Sequence, residues 1–304
     1  MRRALVQPAV VAFVLLGAPA ASLAQSTLHT FYARITDKTG APIKGLGPDD
    51  FGVIEAGSVR KVVSAAYGGL PLRVLFLVDT SDAVSRIPNQ LRAAMQAFID
   101  GVPPEDEIAL VTMGRQLRIR VPATLDRKKL NDAARNIFAD GGGTVLLDSL
   151  VEGNDRVLMR AENRASAIVI LTTDGPETST SVREEAFNKL VEILVGRGTV
   201  VHAVMLENTG ATSASLPSAS AGTQSVAALN ITANTGGNID TIAVATALPD
   251  KMKAAAQLLV ARRQKMSEWY QIDYTTNTLG PGRALDVTVS PLDAKVELSA
   301  SPPR

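Results

Sequence analysis

The chain has 304 residues, enough for one large domain with attachments or for two modest ones. Its 46% apolar and 20% charged residues are ordinary for a globular protein, and Lys plus Arg (31) against Asp plus Glu (30) leave no basic stripe to hold nucleic acid. With no cysteine, disulfides and thiolate sites are excluded, and with two histidines, His29 and His202, a zinc site or a Ser-His-Asp triad has little material.

The N-terminus has the pattern of an export signal. Arg2 and Arg3 precede the apolar stretch "ALVQPAVVAFVLLGA", and Ser22 and Ala24 supply small residues before Gln25. Residues 1–24 are expected to be removed, leaving an exported protein, periplasmic or secreted. No later run approaches the ~20 apolar residues of a membrane helix, so the mature protein is expected to have no membrane span. Residues 25–70 form an expected N-terminal β segment. "HTFYARIT" runs to the turn "DKTG", and shorter strands follow as far as "GGLP".

The pattern changes at residue 71. "LRVLFLV" is continuously apolar, as a strand covered on both faces should be. Val84, Ile87, Leu91, Met95 and Phe98 have helical spacing and predict a helix over 84–100. "EIALVTMG" and "QLRIRV" read as strands, the second as an antiparallel edge. Helices are expected over 127–138 and 145–160, with a buried strand at "SAIVILTTD". A helix over 181–195 follows, with Ser181 and Glu184 fitting a capping box and Gly196 the stop.

"GTVVHAVML" is the next strand, with His202 inside it as a packed or surface histidine. Residues 207–224 are rich in Ser, Ala, Gly and Thr and read as a surface loop. "SVAALNITANTGG" predicts a short helix, "NIDTIA" a last strand, and 246–264 a helix. "SEWYQIDYTT", a "GPG" turn, "ALDVTVSP" and "AKVELSA" return to strands over 266–304, expected to pack with the N-terminal segment. The fold class is therefore α/β: a doubly wound, mostly parallel sheet over 71–265, with β-rich flanks forming a small β module.

In an open parallel sheet, ligands bind beyond the carboxyl ends of the strands. Asp79 and Ser81 directly follow the first strand, Thr144 ends the "GGGT" before a helix, and Asp174 lies in "TTDG" after the strand "AIVIL". Taken singly, each has an ordinary role as a helix cap or a turn residue. Taken together, two acids and two hydroxyls in strand-end order make a set of hard oxygens that suits Mg²⁺ or Mn²⁺.

This set resembles the von Willebrand factor type A (VWFA) domain and its metal-ion-dependent adhesion site. That family has Asp-x-Ser-x-Ser after the first strand, a Thr in a later loop and an Asp after a central strand. The chain also resembles the exported VWFA-related acidobacterial proteins, through its signal segment, "ARITDKTGAPIKGLGPDDFGVIEAGSVRKV", "ITANTGGNI" and "YQIDY". The resemblance implies a VWFA fold, metal ligands Asp79, Ser81, Thr144 and Asp174, and Mg²⁺ or Mn²⁺ as the ion. It also implies an adhesion or scaffold module, not an enzyme, whose protein partner presents an acidic side chain to the ion.

The chain departs from the pattern at one position. Ala83 stands where the family has its second Ser, preceded by Asp82, a candidate auxiliary ligand. Ser85, expected inside the helix, is not counted as a replacement. The expected consequence is weak metal binding, or its loss. Two other functions compete. A Mg²⁺-dependent phosphoryl hydrolase would use Asp79 as nucleophile, but Ser81 occupies the place of the second acid such an enzyme needs. An inert structural protein of the cell envelope is the other alternative.

Overall fold

The structure, a computed structural model, describes residues 27–159, 163–207, 223–278, 284–290 and 293–302. The expected export signal, most of the 207–224 loop and the "GPG" turn lie outside the described residues. Five strands of the central sheet run parallel: β5 (Leu72–Val78), β6 (Glu107–Met113), β8 (Ala165–Thr173), β9 (Val200–Leu206) and β10 (Ile239–Ile242). β7 (Leu117–Thr124) pairs antiparallel with β6 at one edge, so the order is β10-β9-β8-β5-β6-β7.

The continuous apolar run of β5 has a simple cause. Val74, Phe76 and Val78 point into one core layer, and Leu75 and Leu77 into the other. Helices α1 (Pro88–Gly101), α2 (Arg127–Arg135) and α6 (Leu248–Met266) cover the first face with Leu91, Met95, Phe98, Leu130, Met252 and Leu259. Helices α3 (Leu146–Gly153), α4 (Glu184–Gly196) and α5 (Thr223–Asn234) cover the second with Leu146, Leu150, Leu190 and Ile231. The sheet is buried on both sides and needs no polar face.

Two helix starts differ from the sequence reading by more than two residues. α1 begins at Pro88, not at 84. Val84 is buried, but within a single 3₁₀ turn, and the chain becomes α-helical only where Pro88 supplies its fixed φ in the first turn. α4 begins at Glu184, and the Ser181–Glu184 capping box does not form. The amides of Thr180, Ser181 and Val182 instead donate to the Asp148 carboxylate, at 3.2, 3.1 and 2.8 Å. A distant acid has replaced the local cap.

The flanking strands pair with each other. β1 (Thr27–Thr36) lies between β11 (Tyr270–Thr276) and β13 (Lys295–Ser299), and β4 (Val62–Tyr67) joins on the far side of β11. β2 (Phe51–Glu55) lies between β12 (Leu285–Val289) and β3 (Ser58–Arg60). Phe31, Ile35, Phe51, Val53, Tyr270 and Tyr274 form their shared core. This β layer meets the amino ends of the parallel strands. Gly198, at φ +61° just before β9, comes so close to Tyr32 that a Cβ would lie 2.4 Å from its hydroxyl. The opposite, carboxyl edge of the parallel sheet is left for the candidate site.

Candidate metal centre

From β5 the chain winds outward through β6 and β7, then crosses back to β8 and continues to β9 and β10 on the other side. The connections that leave β5 and β8 therefore diverge, and the crevice between their carboxyl ends is where such a sheet binds ligands. The loops at this rim are laced together through the backbone. Asp79 N donates to Leu171 O at 2.8 Å, Asp82 N to Gly142 O at 3.0 Å and Thr144 N to Pro176 O at 2.9 Å. Asp140 N donates to Thr80 O, and Thr178 N to Thr144 O. The loops carrying Asp79, Thr144 and Asp174 thus meet at one edge of the molecule.

Asp79, Ser81 and Thr144 are all 0% exposed. Asp79 accepts the Ser81 amide on Oδ1 at 2.7 Å and the Thr173 hydroxyl on Oδ2 at 2.6 Å. Among the described residues no Lys, Arg or His pairs with it. Burial pushes its pKa up, against the opposing pull of hydrogen bonds from Thr173 and Ser81 and of the nearby Thr144 hydroxyl. Thr144 Oγ1 is buried without a well-formed hydrogen bond of its own. Ser81 Oγ accepts the Ala83 amide at 3.3 Å.

Asp174 lies one residue past β8 and is half-buried, with its amide donating to Leu206 O at 3.0 Å. Its neighbour Gly175 brings this loop against the first one. A Cβ on Gly175 would lie 3.1 Å from Ala83 Cβ and 3.9 Å from Ser81 Oγ.

Ala83 is buried and presents a methyl group beside Gly175. Asp82 is exposed and uses Oδ2 to accept the Gly142 amide at 2.8 Å, so one of its oxygens is committed to the glycine loop. Gly141 and Gly142 both have positive φ, +78° and +76°, which only glycine adopts without strain. Ser85 is exposed at the end of the 3₁₀ turn, not in a helix as expected, and donates its hydroxyl to Asp82 O at 2.7 Å. Glu177 is also buried, with its pKa pushed up by burial. It accepts the amides of Leu146 and Ser179, anchoring the start of α3.

Sequence reasoning missed Thr173, although it sits in the quoted "TTDG" directly before Asp174. It also missed the bond from Thr80 Oγ1 to Asp140 at 2.9 Å, and the pairing of Asp140 with Arg118 and Arg120. No local signal marks these, because the partners are distant in sequence. His202, expected as a packed or surface histidine, is of the packed kind: it is buried in β9 and accepts the Asn238 amide on Nδ1 at 3.0 Å.

The donors suit a hard cation. A buried carboxylate without a counter-charge and a buried hydroxyl without a well-formed hydrogen bond are what Mg²⁺ or Mn²⁺ would satisfy. The residues fit such an ion with one hydroxyl fewer, at Ala83. Among the described residues no cluster of three or more His, Cys, Asp or Glu side chains that could hold a metal ion is found, at this rim or elsewhere, and no helix is long and apolar enough to cross a membrane.

Residues 74–177 match the family model of the von Willebrand factor type A domain. No curated protein is significantly similar to the chain. Solved structures to which the chain is similar include a von Willebrand factor type A protein from Catenulispora acidiphila, at 13% identity and TM-score 0.49. That match covers 80% of this chain and 51% of the other, so the chain spans about half the length of that protein. The vWF domain of the type V pili tip protein Mfa5 from Porphyromonas gingivalis matches at 12% identity and TM-score 0.48, covering 64% of this chain and 96% of that one. Proximal thread matrix protein 1 from the mussel byssus, described with zinc in its MIDAS motif, matches at 15% identity and TM-score 0.48, covering 68% and 48%.

Proposed function

We propose that the chain is an exported binding module whose rim takes a divalent cation and a partner's carboxylate, a reading supported by the match of residues 74–177 to the family model of the von Willebrand factor type A domain, whose members mediate protein–protein interactions. Asp79, Ser81, Thr144 and Asp174 would hold Mg²⁺ or Mn²⁺. The ion would supply the positive charge that draws an acidic side chain of the partner to the rim. The observation that carries this reading is the Asp79 carboxylate, buried with no cationic partner among the described residues and next to the under-satisfied Thr144 hydroxyl. Ala83 makes the proposed binding weak. A position lacking one neutral ligand loses on the order of 1 kcal/mol, and Mg²⁺ readily keeps a water in such a place.

Export, and kinship with the acidobacterial branch, belong to the same proposal. Export rests on Arg2, Arg3, the apolar run that follows and the small residues before Gln25, and the kinship on that segment together with "ARITDKTGAPIKGLGPDDFGVIEAGSVRKV", "ITANTGGNI" and "YQIDY".

A thermal-shift titration with Mg²⁺, Mn²⁺ and Ca²⁺ tests the reading. A ligand specific for the folded state adds roughly 2.7 kcal/mol at 100 times its Kd. The unfolding midpoint of the wild type should rise with Mg²⁺ or Mn²⁺, and that of Asp79→Asn should not. No shift with any ion would remove the cation from the proposal. Robust phosphatase turnover, abolished by Asp79→Asn, would replace the binding module by an enzyme.

A further inference from the structure

The turn between β6 and β7 brings a fourth piece of chain, and an unpaired cation, to the same rim. Gly114 directly follows β6. A Cβ there would lie 2.9 Å from Thr80 Oγ1, 3.1 Å from Asp140 Cβ and 3.2 Å from Thr80 O. The missing side chain lets the turn press against both the first loop and the residue that leads into the glycines. Arg115, the next residue, lies across the glycine loop. Its Cγ and Nε are 3.0 and 3.3 Å from the place a Cβ on Gly142 would occupy, and its Nη2 is 3.8 Å from the corresponding place on Gly141. Asp82 Oδ1 approaches Gly141 from another side, at 3.5 Å.

The neighbouring arginines are already engaged, Arg118 and Arg120 with Asp140. Arg115 is exposed, and among the described residues its guanidinium makes no ion pair or hydrogen bond. A free guanidinium thus lies over Gly142, two residues before Thr144.

We propose that Arg115 is a specificity-determining residue of the centre, taking one oxygen of the partner's carboxylate while the ion takes the other. The inference rests on the cation reading above. A guanidinium stays charged at any working pH and offers a planar fork of N–H donors matched to a carboxylate. Two-point capture selects a carboxylate over an amide or a hydroxyl, neither of which brings charge to the guanidinium. Arg115 also gives ion and partner a linked order of binding. Its positive charge repels the ion when the rim is otherwise empty, and the arriving carboxylate relieves that repulsion, so the two bind cooperatively.

The mark of this role is a change of opposite sign in two affinities. The full chain, as wild type, Arg115→Ala and Arg115→Lys, is titrated with Mn²⁺, and free Mn²⁺ is read by electron paramagnetic resonance. Sodium acetate then replaces sodium chloride at constant ionic strength, and paramagnetic relaxation of the acetate methyl protons reads the ternary complex. Arg115→Ala should bind Mn²⁺ up to about twofold more tightly, because a nearby positive charge is gone. It should hold acetate about tenfold more weakly, the usual loss for a hydrogen bond to a charged group. Arg115→Lys should bind Mn²⁺ as the wild type does and recover part of the acetate affinity. Wild type and Arg115→Ala that take Mn²⁺ and acetate equally would overturn the role of Arg115 while leaving the centre standing. A wild type that takes no Mn²⁺ would overturn the centre and this inference together.

Discussion

The Thr173 hydroxyl donates to Asp79 Oδ2 at 2.6 Å, tying the ends of two adjacent parallel strands at residues 94 positions apart. The bond steadies a carboxylate that burial disfavours, yet it supplies no positive charge. Asp79 is therefore satisfied as a hydrogen-bond acceptor and uncompensated as an anion, and the predictions for this site begin from that imbalance.

Neutralising Asp79 should stabilise the metal-free protein. A buried charge without a partner costs free energy that an amide of the same shape avoids, and Asn keeps an oxygen for the Ser81 amide. In the presence of a chelator, Asp79→Asn should unfold at higher temperature by roughly 2–4 °C, corresponding to about 1 kcal/mol. Differential scanning calorimetry measures this. An unchanged or lower midpoint would mean that the wild-type carboxylate is already compensated.

Restoring the missing hydroxyl should tighten the centre. Ala83→Ser puts an oxygen beside Gly175, where the absent side chain leaves room for it. One added ligand worth ~1 kcal/mol corresponds to a five- to tenfold gain in Mg²⁺ affinity. Isothermal calorimetry on both proteins gives the ratio. Equal affinities would place the ion away from the first loop.

Removing the Asp82 carboxylate should loosen the glycine loop more than it destabilises the fold. Asp82 Oδ2 is the acceptor for the Gly142 amide, and both residues lie at the exposed rim. Asp82→Ala should cost under about 1 kcal/mol in global stability, as for an exposed polar contact. The Gly142 amide, by contrast, should exchange its hydrogen much faster. Amide exchange followed by NMR reads both quantities. Unchanged protection at Gly142 would show that the loop is held by other means.

His202 should make the fold sensitive to acid. Burial, with help from Arg262, lowers its pKa from 6.5 to about 4. A folded-state pKa below that of the unfolded chain means that the unfolded state takes up the proton first. Stability from this group is thus present above 6.5 and is lost as the pH falls from there toward 4. Between pH 7 and pH 5 the loss should be about 2 kcal/mol, by linkage from that shift. Urea unfolding at the two pH values, with His202→Gln as reference, isolates the term. A wild-type loss no larger than that of the variant would contradict it.

The sequence made some parts of this arrangement readable and hid others, for physical reasons. "VLFLVDTSD" is legible because a strand buried on both faces must be apolar throughout, so the sudden acids mark its end. Asp174 is legible by the same logic at the end of β8. Thr173 is not, because its partner depends on β8 lying next to β5, a choice of strand order that no local pattern encodes. Arg115 reads only as part of a turn, and its place over Gly142 follows from how closely Gly114 lets that turn approach. The start of α1 was present in Pro88 but was masked by Val84 and Ile87, whose helical spacing continues the pattern of the true helix. The Ser181 cap lost to Asp148, an acid 33 residues away that captures the Ser181 amide.

The central claim is that the loops bearing Asp79, Thr144 and Asp174 hold one divalent cation between them. Anomalous diffraction from a crystal soaked in Mn²⁺ tests it most directly. The account predicts one strong peak at this rim, within coordination distance of Ser81 and Thr144. A well-ordered rim with no peak, or Mn²⁺ found only at a distant surface, would contradict it.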